Sequence, residues 1–282
     1  MDLSPNAPVK AYLETPQGQL HYISLVPPDA RPVPVLLLHM SASSSKSFHS
    51  MMQDLSASRY ASYAIDMPGF GSSFDPASDP PSITWYADLY HAALLEGLPA
   101  FASGCYLVGH HSGGVIGIEL AVKYPDFCRS LAIIGPTVMS AEERVTMSKT
   151  FGDPFNKPAE SGSHLLETWN YLKWEGLVPH LHLELMQREA LDHIRAWKGR
   201  SQIYACVWAY DMEGALRRIA AEGCNTCPIL GLCAPDDILW PYFENFKTFV
   251  GERVVAKEIA GGNFGPDLDS GLISLLVAEF LE

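Results

Sequence analysis

The hexapeptide Gly109-His110-His111-Ser112-Gly113-Gly114 constrains the fold more than any other stretch of this chain. An apolar run, Cys105-Tyr106-Leu107-Val108, precedes it, and an amphipathic stretch from Val115 to Tyr124 follows. The pattern predicts a buried strand, a sharp turn and a helix. Glycines on both sides of the turn let helix and strand pass close together. A chain of 282 residues, 48% of them hydrophobic, can bury one sizeable core around such a unit.

The same rhythm recurs along the chain. Lys10 to Pro27 reads as two strands joined at Gln17-Gly18. Val33 to Leu38 is a continuous apolar run, as expected for a strand buried on both faces. A helix is predicted from Ser44 to Leu55, a strand from Tyr60 to Ile65, a helix from Ser82 to Leu95 and a strand from Arg129 to Ile134. Alternating strands and helices imply a mostly parallel sheet covered on both faces, the α/β class. Between Gly135 and Thr226 the alternation stops. Breakers at Gly152-Asp153-Pro154 and Asn156-Lys157-Pro158 precede three predicted helices, Leu165–Leu177, Leu181–Lys198 and Ser201–Ile219. Strands resume at Pro228–Cys233 and Arg253–Ile259, and Leu268–Leu281 closes the chain as a helix.

Several of these segments resemble the α/β-hydrolase fold superfamily, over nearly the whole chain. Val35 to Ser41 looks like its oxyanion-loop strand, Asp66-Met67-Pro68-Gly69-Phe70-Gly71-Ser72-Ser73 matches its Asp-x-Pro-Gly-x-Gly-x-Ser turn, and Tyr124-Pro125-Asp126 ends the helix as it does. Gly109 to Gly113 resembles the Gly-x-Ser-x-Gly nucleophile elbow, with His111 where the serine stands. Ile229 to Asp237 resembles the strand that delivers the triad acid, Asp237 by position. Ala260-Gly261-Gly262-Asn263-Phe264 resembles the turn of the catalytic histidine, with Asn263 in its place. The resemblance implies a core of residues 1–136 and 223–282 and a helical cap over 137–222.

In the ordinary triad, serine attacks, histidine takes its proton and the acid orients the histidine. Asn263 cannot take a proton, so conventional acyl-serine chemistry is disfavoured. Imidazole exchanges protons near neutral pH, so His111 can serve as general acid or base. Asp237 and Asn263 are its expected partners. The backbone N–H groups of Ser41 and Ser112 form the expected oxyanion hole. Met40, Trp169, Trp174 and Trp208 are the expected substrate contacts, from a cap rich in aromatics. These residues point to cofactor-independent acid–base chemistry of lyase, isomerase or cyclase type on a small apolar carbonyl compound. Two readings stand beside it: an atypical hydrolase of ester or C–C bonds, with His111-activated water or Ser112 as nucleophile, and a non-catalytic small-molecule receptor.

Composition narrows the partners to a small-molecule substrate. The net charge is −13 and there is no basic run, which argues against nucleic acid and anionic membrane. The N-terminus lacks the basic start and apolar core of a signal peptide, and no 18-residue apolar run appears, so a cytoplasmic location is expected. Oligomeric state is left open. No Gly-rich dinucleotide fingerprint is present: Gly69-Phe70-Gly71 lacks the third glycine and the helix start, so no cofactor is expected. Cys224 and Cys227 form a lone CxxC with no second pair, and His180 and His182 lack partners at ligand spacing, so no metal is expected. The six cysteines read as structural thiols.

Overall fold

The structure, a computed structural model, describes residues 7–220, 227–248 and 254–281. Strands β1 (Val9–Thr15) and β2 (Gly18–Leu25) form an antiparallel hairpin. β2 runs antiparallel to β4 (Ser62–Ile65). β3 (Val35–Leu38), β4, β5 (Cys105–His110), β6 (Cys128–Ile134), β7 (Ile229–Cys233) and β8 (Val254–Glu258) are all parallel. The eight-stranded sheet has the order β1-β2-β4-β3-β5-β6-β7-β8. β3 lies at its centre, and all four of its side chains are buried. That is why its sequence is uniformly apolar rather than alternating.

Helices cover both faces. α1 (His49–Ala57) and the last helix, Ser270–Leu281, pack on one face, against Val35, Leu37, Val108 and Leu230. α2 (Ile83–Gly97) and α3 (Ser112–Lys123) pack on the other, against Leu36, Leu38, Leu107 and Ile133. The Ser82 hydroxyl caps α2 by accepting from the Trp85 N–H at 3.3 Å. Five of the six cysteines are buried free thiols, and Cys224 lies outside the described residues. Cys128 Sγ and Cys227 Sγ are 3.4 Å apart. No described helix is long and apolar enough to cross a membrane.

Among the described residues, five helices, not the three predicted, lie between β6 and β7: α4 (Ala141–Phe151), α5 (Ser163–Trp174), α6 (Pro179–Arg195), α7 (Trp197–Ala209) and α8 (Met212–Ala220). Two local signals account for the difference. Ser140 and Glu143 form a capping box that starts α4. The predicted helix over 201–219 is split because Tyr210 is extended and Asp211 accepts from the Gly214 N–H at 3.2 Å, starting a new turn. The expected boundary at 222 lies outside the described residues.

This helical layer is clamped to the core by buried polar contacts. Ser43 Oγ donates to Glu189 at 2.8 Å and Ser44 Oγ to Asp192 at 2.7 Å. Arg188 donates twice to Asp267 at 2.6 Å, one bond to each carboxylate oxygen. α7 approaches the Asp66–Ser73 turn so closely that a Cβ on Gly199 would lie 2.5 Å from the Gly69 carbonyl oxygen. The remaining elements are α9 (Trp240–Lys247), a short α10 (Gly265–Leu268) and α11, the Ser270–Leu281 helix named above.

Candidate active site

The carboxyl ends of β3, β5, β6 and β7 converge beneath the helical layer, where open α/β sheets bind ligands. β5 ends at His110 and α3 begins at Ser112, so His111 alone makes the turn. Its backbone has φ +47° and ψ −113°, a conformation uncommon for a side chain with a Cβ. The Ile134 carbonyl holds the His111 N–H at 2.8 Å, and the His111 carbonyl accepts from Gly114 at 2.9 Å. The flanking glycines are required by space. A Cβ on Gly113 would lie 2.1 Å from the Leu38 carbonyl oxygen, and one on Gly109 would lie 2.5 Å from Gly114 Cα.

His111 reaches Asp237 directly. Its Nε2 lies 2.9 Å from Asp237 Oδ2. The other carboxylate oxygen accepts from the Leu239 N–H at 2.7 Å. A carboxylate only accepts, so the pairing places the proton on Nε2 and leaves Nδ1 as the basic atom of the neutral ring. The carboxylate is the more deeply buried partner, with 1% side-chain exposure against 13% for the imidazole.

Asn263 does not meet His111. It sits in a turn before α10, where its Oδ1 accepts from the Ile238 N–H at 3.0 Å. Its Nδ2 donates to the Glu175 backbone carbonyl at 3.3 Å and to the Glu175 carboxylate. Glu175, at the end of α5, is the functional candidate that sequence reasoning missed. It shares a cavity with His111, and burial pushes its carboxyl above the usual carboxylate range. A signal existed: an acid at a helix C-terminus opposes the helix dipole and asks for a compensating partner.

Ser41 and Ser112 both line that cavity. The Ser41 N–H donates to Ser112 Oγ at 2.9 Å, which ties the loop after β3 to the start of α3. As the first residue of α3, Ser112 has an N–H with no intrahelical acceptor. Its hydroxyl is turned to Ser41. His39 bridges Met40 and Met67: Nδ1 donates to the Met40 carbonyl at 2.7 Å and Nε2 accepts from the Met67 N–H at 2.9 Å. His110 lies under His111 with ring centroids 4.4 Å apart, and burial holds it far below the usual imidazole range. His110, His111 and Asp237 bring one donor atom each within 4.8 Å of the others. Asp237 commits both oxygens to N–H donors, so this donor set fits a hydrogen-bonded pair better than a metal cage.

The cavity is also lined by Met40, Trp208, Phe151, Tyr171, Tyr204 and Phe264. Two of the expected tryptophans are elsewhere, which corrects the sequence reading. Trp174 is 61% exposed and lines an outer groove with Trp240 and Asn263. Trp169 packs in the cluster of Leu172, Leu177 and Met186. α5 carries apolar residues around most of its girth, so its sequence did not reveal which face turns inward.

A parallel sheet wrapped on both faces, a one-residue turn from β5 to α3, and a paired acid after β7 settle the architecture. This chain has the α/β-hydrolase fold. Residues 33–169 match the family model described as alpha/beta hydrolase fold. The structure is similar to a hydrolase from Pseudomonas aeruginosa PA01, with a TM-score of 0.77 and 18% identity over 98% of this chain and 99% of that one. It is similar to the enol-lactonase of Burkholderia xenovorans LB400, with a TM-score of 0.76 and 13% identity over 96% and 99%. In sequence, a pimeloyl-acyl-carrier-protein methyl ester esterase of Aeromonas hydrophila is 31% identical over 111 residues, 39% of this chain and 41% of that protein. The chain thus spans less than half of that relative. Within the α/β-hydrolase fold, the turn after β5 is occupied here by an imidazole that pairs with the acid after β7.

Proposed function

We propose that the chain is a cofactor-independent enzyme carrying out acid–base chemistry on a small, largely apolar carbonyl compound, with lyase, isomerase or cyclase character. The observation that carries this reading is the 2.9 Å pair between His111 Nε2 and Asp237 Oδ2 inside an aromatic-lined cavity. Asp237 fixes the tautomer, so Nδ1 takes a proton from the substrate and returns it. The developing oxyanion accepts from the Ser112 N–H and from the Ser41 N–H, which exchanges its bond to Ser112 Oγ for the substrate oxygen. A dry, aromatic site strengthens both interactions. Trp208 and Met40 contact the apolar part of the substrate.

The experiment is solvent exchange. A panel of apolar ketones is incubated with the protein in D2O, and deuterium at the α-carbon is followed by NMR. Exchange that needs His111 and survives Ser112→Ala supports the reading. Exchange absent in the wild type across the panel sinks it.

A second reading is favoured by the names of the similar proteins, an esterase and an enol-lactonase. In it, His111 activates water that attacks an ester or lactone directly. Hydrolysis of an activated ester that needs His111 and proceeds without a burst selects this alternative. Saturable binding without any turnover selects a receptor.

A further inference from the structure

Glu175 is set between two spaces. The cavity that holds His111 and the outer groove beside Trp174 share two described residues, Glu175 and Ile238, and only Glu175 of the two carries an exchangeable proton. Asn263 fixes its carboxylate from the turn before α10, and Tyr171, one turn back on α5, donates its O–H to it. Such a group faces the reaction on one side and can be recharged from the groove on the other.

Its chemistry suits proton donation. Burial pushes the carboxyl above the usual carboxylate range, against the opposing pull of the Tyr171 bond and of His111. It therefore holds a proton to higher pH than a surface glutamate does, and a protonated carboxyl has one O–H to give. The coupling to His111 then helps to release it. An imidazole that takes a proton becomes a cation, and a nearby cation makes the carboxyl a stronger acid. Uptake of one proton at His111 thus favours release of another at Glu175.

A single base suffices for exchange at the α-carbon or for a carbon-to-carbon shift, because His111 can return the proton it took. A second acid is needed where a second atom must be protonated, and a poor leaving group such as hydroxide is that case. We infer that Glu175 is the second catalytic residue of this site, giving its proton to a hydroxyl that leaves the β-carbon, so that the substrate is a β-hydroxy carbonyl compound on an apolar body. This rests on the reading that His111 takes the α-proton. The α C–H bond breaks, its proton goes to His111 Nδ1 and its electrons form the enolate. Those electrons then form the C=C bond as the β C–O bond breaks, and the oxygen leaves with the Glu175 proton as water. His111 gives its extra proton to solvent and Glu175 takes one from the groove, so the net change is loss of one water.

The test compares two leaving groups. The aldol adduct of acetone and benzaldehyde loses water, while its acetate ester loses acetate, which needs no added proton. Both give the same enone, followed by its ultraviolet absorbance on wild type, Glu175→Gln and His111→Ala. Wild type should eliminate from both substrates and His111→Ala from neither. Glu175→Gln should lose about 10²-fold or more on the hydroxy ketone, the scale of a positioned acid, and less than about tenfold on the acetate. The ratio of the two rates in one sample does not depend on how much of the variant is folded. An unchanged ratio in Glu175→Gln overturns the inference, because a merely structural role weakens both reactions alike. Wild type that expels acetate through His111 but never water overturns the inference and leaves the His111 reading standing. Elimination from neither substrate overturns it too, and the absence of α-exchange in D2O then takes the His111 reading with it.

Discussion

His111 and Gly135 are matched in shape. Gly135 follows β6 with φ +65°, and a Cβ there would lie 2.3 Å from His111 Cδ2 and 2.5 Å from its Nε2. The imidazole reaches Asp237 only because the end of β6 has no side chain at that point. Gly135→Ala should therefore turn the ring off Asp237 and cost activity. A left-handed alanine adds strain of about 1–3 kcal/mol. Steady-state rates and a urea melt of the variant check both effects. A Gly135→Ala variant with full activity would remove the ring position from the argument.

The dyad itself sets a ranking. His111→Ala should abolish proton transfer. Asp237→Asn, which no longer fixes the tautomer, should lower kcat/KM by about 10²–10⁴-fold, the usual scale for a positioned acid–base group. Ser112→Ala should lose far less, because only its N–H is required. Ser112→Ala dead and His111→Ala active, in the same assay, would restore serine as the nucleophile.

Asn263 holds Glu175 and the Ile238 N–H together. Asn263→Ala should strand these buried partners and destabilise by about 1–3 kcal/mol. Glu175→Gln should cost less, since an amide oxygen still accepts from Asn263. The ordering is read from denaturant midpoints, and equal losses would mean that the contact is incidental.

A double variant tests whether the site keeps the geometry of the ordinary triad. His111→Ser with Asn263→His vacates Asp237 Oδ2 and offers it a new imidazole. A gain of weak esterase activity on an activated aryl ester is expected, provided Glu175 yields. Wild-type esterase activity that the double variant merely keeps would count against the non-hydrolytic reading.

Stability should fall in mild acid for a stated reason. Burial lowers His193 from 6.5 to about 4, and it also lowers His39 and His110. A lowered folded-state value means that stability is fully present above 6.5 and is lost as pH falls towards 4, because the unfolded chain takes protons that the native chain refuses. Each such histidine contributes up to about 1.4 kcal/mol per pH unit in that window. His193→Gln should flatten the slope by one proton in denaturation series at pH 4.5, 5.5 and 6.5. An unchanged slope would show that His193 does not share in it.

Much of this was written in local sequence. The glycines at 109 and 113 dictate the turn at His111, since any side chain there meets backbone. The four apolar residues of β3 dictate a doubly covered strand. The capping pair Ser140 and Glu143 was equally legible, although the predicted helices began after it.

What local pattern could not carry was direction and partnership across the fold. Periodicity placed Trp169, Trp174 and Tyr171 on one helix without saying which faces His111, because burial depends on what the helix packs against. Asp237 lies 126 residues from His111, and only the parallel pairing of β5, β6 and β7 brings them within a hydrogen bond. Glu175 gained its meaning the same way, from Asn263. Sequence alone set the sheet, the turn and the residue types. The tertiary structure decided which of those residues meet, since charge and hydrogen-bonding partners are chosen by proximity in space.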